Sequence, residues 1–93
     1  MATTTKVWDI TEHLGSEAAI AAYLDAVFED GEPALIKAAI GDVARARGMT
    51  EIAAKTGISR VGLYKALSES GNPSFATIAA VMKALGVRLS VAA

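Results

Sequence analysis

Glycine residues divide this chain into segments that are each long enough for one short helix. Gly31, Gly48, Gly57 and Gly86 each follow a run in which apolar side chains recur at three- and four-residue intervals, and a polar loop at 70–73 separates two further runs. Such spacing places the apolar side chains on one face of a helix, and glycine readily adopts the left-handed backbone that ends a helix. The pattern therefore predicts an all-α protein with five helices.

Residues able to begin a helix stand in front of these runs. Ser16, Thr50, Ser59 and Ser74 carry hydroxyl groups that can accept hydrogen bonds from the first free amides of a helix, and Pro33 suits a first helical position. We therefore expect helices at 17–30, 33–47, 51–56, 60–68 and 75–85. The same boundaries divide the chain into an N-terminal arm (1–15) that Trp8 anchors on the core, a helical domain (16–86) and a C-terminal tail (87–93).

Composition excludes several classes of function. The 93 residues suit one domain with one core and leave no room for a separate catalytic domain. Cysteine is absent and the lone His13 cannot complete a usual metal-ligand set, so we expect no cofactor, no metal and no enzymatic activity. No run approaches the roughly 20 apolar residues of a membrane span. Residues 1–6 lack the apolar segment of a secretory signal, and we expect a cytoplasmic protein.

The charged residues are distributed unevenly, although the net charge of the chain is only −1. Residues 1–32 contain one lysine and seven acidic residues, a net charge of −6, whereas residues 33–65 contain six basic and two acidic residues, a net charge of +4. A cationic segment is what binding to phosphates requires, since neutralised phosphates release their counterions. The alternative is that these charges only solvate helix surfaces.

Residues 50–68 have the spacing of a helix-turn-helix, in which two short helices meet at a three-residue turn, here 57–59. Gly57 provides the turn, and Ala53 is small because the second helix crosses close to it. The alternative is an ordinary helical hairpin. The residues expected to fill the wedge between the two helices are Ile52, Ile58, Leu63 and Leu67.

The outer face of the second helix of this pair is the candidate DNA-binding surface, although a helix-turn-helix can also be kept for protein contacts alone. Such a helix fits the major groove, where each base pair presents a distinct pattern of donors and acceptors. Arg60 is the best candidate to read a base, since arginine pairs bidentately with guanine, and Val61 suits a thymine methyl group. Lys65 and Tyr64 suit phosphates equally well. The candidate DNA-binding residues are Thr50, Ser59, Arg60, Val61, Tyr64, Lys65 and Ser68.

We expect a homodimer, because one short helix reads few bases and paired half-sites about 34 Å apart, one turn of DNA, are the usual arrangement. Alternating apolar residues at 87–91 predict a short strand, which is either a frayed tail or pairs with a second copy or a partner chain. The expected dimer contacts come from the fifth helix and this strand: Ile78, Val81, Met82, Leu85, Val87, Leu89 and Val91.

Six short motifs along the chain are AAYL at 21–24, RARGMT at 45–50, TGISR at 56–60, LYKAL at 63–67, GNPS at 71–74 and ALG at 84–86. Together they resemble the lambda-repressor-like (Xre/Cro) helix-turn-helix class, and more closely the HigA-like addiction-module antidote proteins, the antitoxins of type II toxin–antitoxin pairs. The resemblance covers nearly the whole chain. It implies a lambda-repressor-like five-helix domain.

The resemblance also implies a partner, a small basic toxin of the RelE/ParE-like (HigB) superfamily, and repression of the shared operon through sequence-specific binding to double-stranded operator DNA. By charge alone, the acidic segment 1–32 is a candidate dock for that toxin, and the alternatives are that it only shields the dimer or folds inward. Gly62 departs from the pattern, since a helix former is expected there, and it marks either close approach to DNA or a weakened reading helix. The alternatives are a stand-alone Xre-type repressor and a protein-interaction adaptor.

Overall fold

A computed structural model describes residues 16–91 of the chain, and five helices account for most of them. The predicted all-α class is confirmed, and no strand forms within residues 16–91. The N-terminal arm, with Trp8 and His13, lies outside the described residues. None of the described helices is long and apolar enough to cross a membrane. The helices are α1 (Glu17–Asp30), α2 (Pro33–Arg47), α3 (Met49–Thr56), α4 (Arg60–Ala66) and α5 (Phe75–Ala84).

Four side chains begin helices by accepting hydrogen bonds from backbone amides of the first turn, which have no partner within the helix. The predicted caps of α1, α4 and α5 are confirmed, since the hydroxyl oxygens of Ser16, Ser59 and Ser74 each accept from the amide three residues ahead at 3.0 to 3.1 Å. α2 begins at Pro33 as expected. Its cap is the carboxylate of Glu32, which accepts from two amides of the first turn, the nearer at 2.7 Å.

The predicted cap of α3 is wrong. α3 begins at Met49 rather than at residue 51, so Thr50 lies inside its first turn and is exposed. The N-cap position belongs to Gly48, whose amide also donates to the carbonyl of Ala44 at the end of α2 at 2.9 Å. One glycine with a φ of 109° therefore both ends α2 and begins α3, and no position remains for a separate hydroxyl cap.

α4 and α5 are shorter than the sequence predicted. α4 ends at Ala66 rather than at residue 68, because the chain then folds back and Gly71 lies against the carbonyl groups of Lys65 and Ala66. A Cβ atom on Gly71 would overlap both of these carbonyls. α5 ends at Ala84, one residue earlier than expected, and Gly86 follows with a φ of 82°.

α3 lies at the centre of the fold and contacts α2, α4 and α5, while α1 packs on α2. With eight residues in α3 and seven in α4, neither helix would be stable in isolation. Tertiary packing therefore has to hold both of them in place. The fully buried side chains come from all five helices and the residue after α5: Ile20, Ile40, Val43, Ile52, Leu63, Val81 and Leu85.

The core includes three side chains that the sequence analysis assigned to a dimer surface. Val81, Met82 and Leu85 are 0 to 4% exposed, so they pack inside their own chain and are not available to a second copy. The dimer surface predicted on them is corrected accordingly. Periodicity identifies the apolar face of a helix but does not show which neighbour covers it. The other assigned residues are half-buried (Ile78 and Val87) or exposed (Leu89 and Val91).

The tail at 87–91 forms no strand within the described residues. The amide of Val87 donates to the carbonyl of Met82 at 3.1 Å and so closes the end of α5. Residues 16–91 include no neighbouring strand that could supply the remaining hydrogen bonds. Pairing of this tail with a second copy or a partner chain stays a prediction.

Lys37 of α2 connects the helical core to the loop between α4 and α5. Its Nζ donates to the carbonyl oxygen of Glu69 at 2.7 Å and to that of Gly71 at 2.6 Å. α2 also approaches the end of α4 at Gly41, where an added Cβ would lie 3.3 Å from the carbonyl oxygen of Leu67. The position of α4 relative to α2 therefore depends on a lysine bridge and on one close backbone contact.

We predict that Lys37→Met lowers the free energy of unfolding by about 1.5 to 3 kcal/mol, the usual contribution of hydrogen bonds to a charged group. Urea denaturation followed by circular dichroism measures this loss. Lys83→Met is the matched control, since Lys83 is exposed on α5 and has no ion pair among residues 16–91. Equal free energies of unfolding for the two variants would contradict a stabilising role for the hydrogen bonds of Lys37.

Candidate nucleic-acid interface

The turn between α3 and α4 is held by one glycine and one threonine. Gly57 has a φ of 77°, and its amide donates to the carbonyl of Ala53 at 2.9 Å. The hydroxyl of Thr56 donates to the carbonyl of Ile52 at 2.9 Å and accepts from the amide of Ile58 at 3.1 Å. Gly57 was predicted from the sequence but the role of Thr56 was not, although a hydroxyl-bearing residue stands directly before the turn.

The residues expected in the wedge between α3 and α4 all face inward. Ile52, Leu63 and Leu67 are 0 to 3% exposed, while Ala53 and Ile58 are half-buried and pack against the same core. Because these side chains determine how α4 lies on α3, the opposite side of α4 is left facing solvent.

The outer face of α4 is open to solvent over its first turn and a half. Val61 is 78% exposed and Tyr64 is 42% exposed, and the side chains of Ser59, Arg60 and Lys65 are exposed beside them. Thr50 is exposed at the start of α3. We refer to these six residues as the α4 face.

Ser68, which we expected to share this surface, lies beyond the end of α4. It is half-buried, and its hydroxyl donates to the carbonyl of Lys65 at 2.8 Å. Its hydroxyl hydrogen is therefore engaged at the end of the helix, and only its oxygen lone pairs remain for a ligand.

Arg60 and Tyr64 lie one helical turn apart and contact each other. The guanidinium carbon of Arg60 is 5.8 Å from the centroid of the Tyr64 ring, within the range of a cation–π interaction. The contact reduces the number of positions open to the arginine side chain. Arg60 is thus partly oriented before any ligand arrives, while its donors remain at the solvent side of α4.

Four of the six cationic side chains of residues 33–65 are engaged or withdrawn within the fold. Lys37 donates to two carbonyls, Arg45 pairs with Asp42 at 2.6 Å, and Lys55 pairs with Glu51 at 3.0 Å. Arg47 is half-buried. The two that are exposed and form no ion pair within residues 16–91 are Arg60 and Lys65, both on the α4 face.

The start of α3 presents backbone amides that no side chain caps. Amides at a helix start attract phosphate groups, and the exposed hydroxyl of Thr50 stands beside them. Glu51 in the same turn is negative, and its hydrogen bond from Lys55 lowers the pKa of its carboxyl group, so it stays ionised at neutral pH. Lys55 offsets that charge locally.

The described residues include no group of acidic or histidine side chains that could hold a metal ion.

Gly62 has a structural explanation that the sequence analysis did not consider. A Cβ at this position would lie 3.1 Å from the capping Oγ of Ser59 and 3.4 Å from a methyl group of Ile58. The glycine therefore leaves space for the cap that begins α4.

Known proteins are similar to this chain over nearly its whole length and not only over α3 and α4. The family described as "Probable addiction module antidote protein" matches residues 4–93. An uncharacterized protein of Haemophilus influenzae is 52% identical over 86 residues, which cover 92% of this chain and 89% of that relative. No solved structure matches the chain. The matched span includes all five helices, so the similarity belongs to the whole domain.

We predict that Ser59 and Gly62 are energetically coupled. Alanine at residue 62 gains helix propensity of about 0.5 to 1 kcal/mol over glycine, but it crowds the cap when the Ser59 hydroxyl is present. Gly62→Ala should therefore stabilise the Ser59→Ala variant more than it stabilises the unmodified chain. A double-mutant cycle by urea denaturation measures the difference, and equal gains in both backgrounds would show that Gly62 does not serve the cap.

Proposed function

The chain belongs to the addiction-module antidote family, and from that premise we propose that it is the antitoxin of a two-gene module. In this proposal it binds and neutralises a small basic toxin of the RelE/ParE-like (HigB) superfamily and represses the operon that encodes both proteins. The family match over residues 4–93 carries the antitoxin role. The HigA-like, Xre-type mode of DNA binding rests on the α4 face.

In the proposed DNA complex, α4 enters the major groove with its first turn towards the bases. The two terminal nitrogens of Arg60 donate hydrogen bonds to O6 and N7 of one guanine, a contact that contributes about 1 to 3 kcal/mol of discrimination. Val61, which is 78% exposed, contacts a thymine methyl group. The Tyr64 ring beneath Arg60 keeps the guanidinium aimed at the base.

We propose that phosphates are bound by Lys65, the Tyr64 hydroxyl, Ser59 and the start of α3 at Thr50. Arg60 and Lys65 are the only exposed cations of residues 33–65 that are free of ion pairs in the described chain, so one copy neutralises few phosphates. Because affinity depends on the number of neutralised phosphates, a single copy would bind DNA weakly.

A homodimer would double the number of contacts, and we propose one with half-sites about one turn of DNA apart. With Val81, Met82 and Leu85 buried, the proposed contact is backbone pairing between the tails at 87–91 of two copies. Val91, the most exposed large apolar residue of the described chain, would be covered in that arrangement.

For DNA binding, we predict that Arg60→Ala reduces the preference for the chain's own upstream sequence over scrambled DNA. Lys65→Ala should weaken binding to both sequences alike and reduce the slope of log affinity against log salt by about 1. Fluorescence anisotropy over a salt series measures both effects. Lys83→Ala is the matched control with the same loss of charge on α5. Unchanged affinity in Arg60→Ala and Lys65→Ala would contradict the α4 face as the DNA-binding surface.

For toxin neutralisation, we predict that a reading frame next to this one encodes a small basic protein that stops growth when expressed alone. Co-expression of the present chain should restore growth, because the antitoxin holds the toxin in an inactive complex. Growth curves with each protein alone and with both together measure the effect. A harmless neighbour would instead favour a stand-alone repressor.

A further inference from the structure

An apolar groove lies where the end of α1, the start of α2 and the start of α5 meet. It has a volume of about 630 Å³ and is lined mainly by apolar side chains from these three helices. None of its lining residues belongs to the α4 face. The side chains that define it are Phe28, Ile36, Ile40, Phe75, Ile78 and Leu89.

Phe75 makes this groove unusual for the surface of a small domain. The ring is 74% exposed at the first position of α5, and Leu89 across the groove is 41% exposed. Exposed aromatic side chains beside a concave apolar surface are typical of protein contacts, in which they act as anchors. The groove therefore has the shape and the composition of a docking surface.

The chain segment between two residues that line the groove, Phe28 and Pro33, is acidic. Glu29 and Asp30 directly follow Phe28 and are exposed, and within residues 16–91 neither forms an ion pair. A second concavity shares Phe28 and Leu89 with the groove and is lined by one acidic and one basic residue, Asp25 and Arg88. The lysine of the groove, Lys37, is bonded to two carbonyl oxygens.

The two acidic residues at the end of α1 are unfavourable for the free protein. The C-terminal end of a helix carries partial negative charge. This charge repels carboxylates and attracts basic side chains. The last turn of α1 contains Glu29 and Asp30 and no basic residue. A positively charged partner placed there would relieve this repulsion.

We propose that the toxin docks in this groove, a proposal that rests on the proposed antitoxin function. The partner is a basic protein that inserts apolar side chains between Phe28 and Phe75 and places lysine or arginine side chains against Glu29 and Asp30. A second copy docked groove against groove is a poorer occupant, because two-fold symmetry would bring the acidic ends of two α1 helices together. The homodimer proposed through backbone pairing of the tails at 87–91 therefore has to leave Phe28 and Phe75 uncovered. Residues 1–15 are a poorer occupant as well, since they contain one lysine and two acidic residues and offer no net positive charge.

The test measures the affinity between the full chain and the purified basic protein encoded by the neighbouring reading frame. Phe75→Ser and the double variant Glu29→Lys/Asp30→Lys should each weaken binding at least about tenfold, the loss typical of anchor residues. The matched controls are Leu35→Ser, which removes an exposed apolar side chain of α2 that does not line the groove, and Glu69→Lys, which reverses a charge after α4. Both controls should leave the affinity unchanged.

The charge-reversed variant provides a readout that a purely structural role would not produce. Because lysine complements the end of a helix, Glu29→Lys/Asp30→Lys should raise the Tm of the free protein by a few degrees while it weakens toxin binding. Opposite changes in stability and affinity are expected for residues that serve a partner. A lowered Tm together with unchanged affinity would overturn the proposal.

The possible outcomes separate this proposal from the antitoxin function. If the unmodified chain does not bind the neighbouring protein, the proposed function fails and the docking site fails with it. If the unmodified chain binds and the groove variants bind equally well, only the docking site is wrong. A fall from dimeric to monomeric mass in Phe75→Ser, measured by light scattering, would assign the groove to a second copy. A red shift of the emission of Trp8, the single tryptophan, in free Phe75→Ser would assign it to residues 1–15.

Discussion

The packing of α3 against three other helices is the contact on which the rest of the molecule depends. α3 and α4 have eight and seven residues, and peptides of that length do not hold a helical shape in water. Ile52 and Leu63, both fully buried, anchor them in the shared core. The geometry of the α4 face is therefore a property of the folded domain and not of the local sequence, and any loss of core packing removes this face along with the fold.

The helices were largely predictable because their signals are local. Caps at Ser16, Ser59 and Ser74 and the turn at Gly57 each act within four residues, so residue type and spacing identify them. Thr50 was assigned wrongly for a related reason. Thr50 offered a hydroxyl close to the expected start of α3. Gly48 is the single residue between α2 and α3, so α3 begins before Thr50.

Features that depend on distant residues could not be predicted in the same way. The carbonyls that Lys37 binds lie 32 and 34 residues further along the chain, and nothing near residue 37 indicates them. Counting basic residues therefore overstated the number of unpaired cations. Lys37 donates to two carbonyl oxygens, and Arg45 and Lys55 each form an ion pair on the surface of the same chain. The face of α5 was recognised as apolar, yet only the tertiary structure shows that Val81 and Leu85 belong to the chain's own core.

Gly71 lies between two surfaces that share no residue, the α4 face and the apolar groove. Its backbone lies against the carbonyls of Lys65 and Ala66 at the end of α4, it lines the apolar groove, and its own carbonyl accepts the bridge from Lys37. A ligand that displaces Gly71 in the groove therefore also displaces the end of α4. If the α4 face binds DNA as proposed, thermodynamic linkage requires the two effects to be reciprocal: whatever a groove ligand does to the affinity for DNA, DNA does by the same factor to the affinity for that ligand.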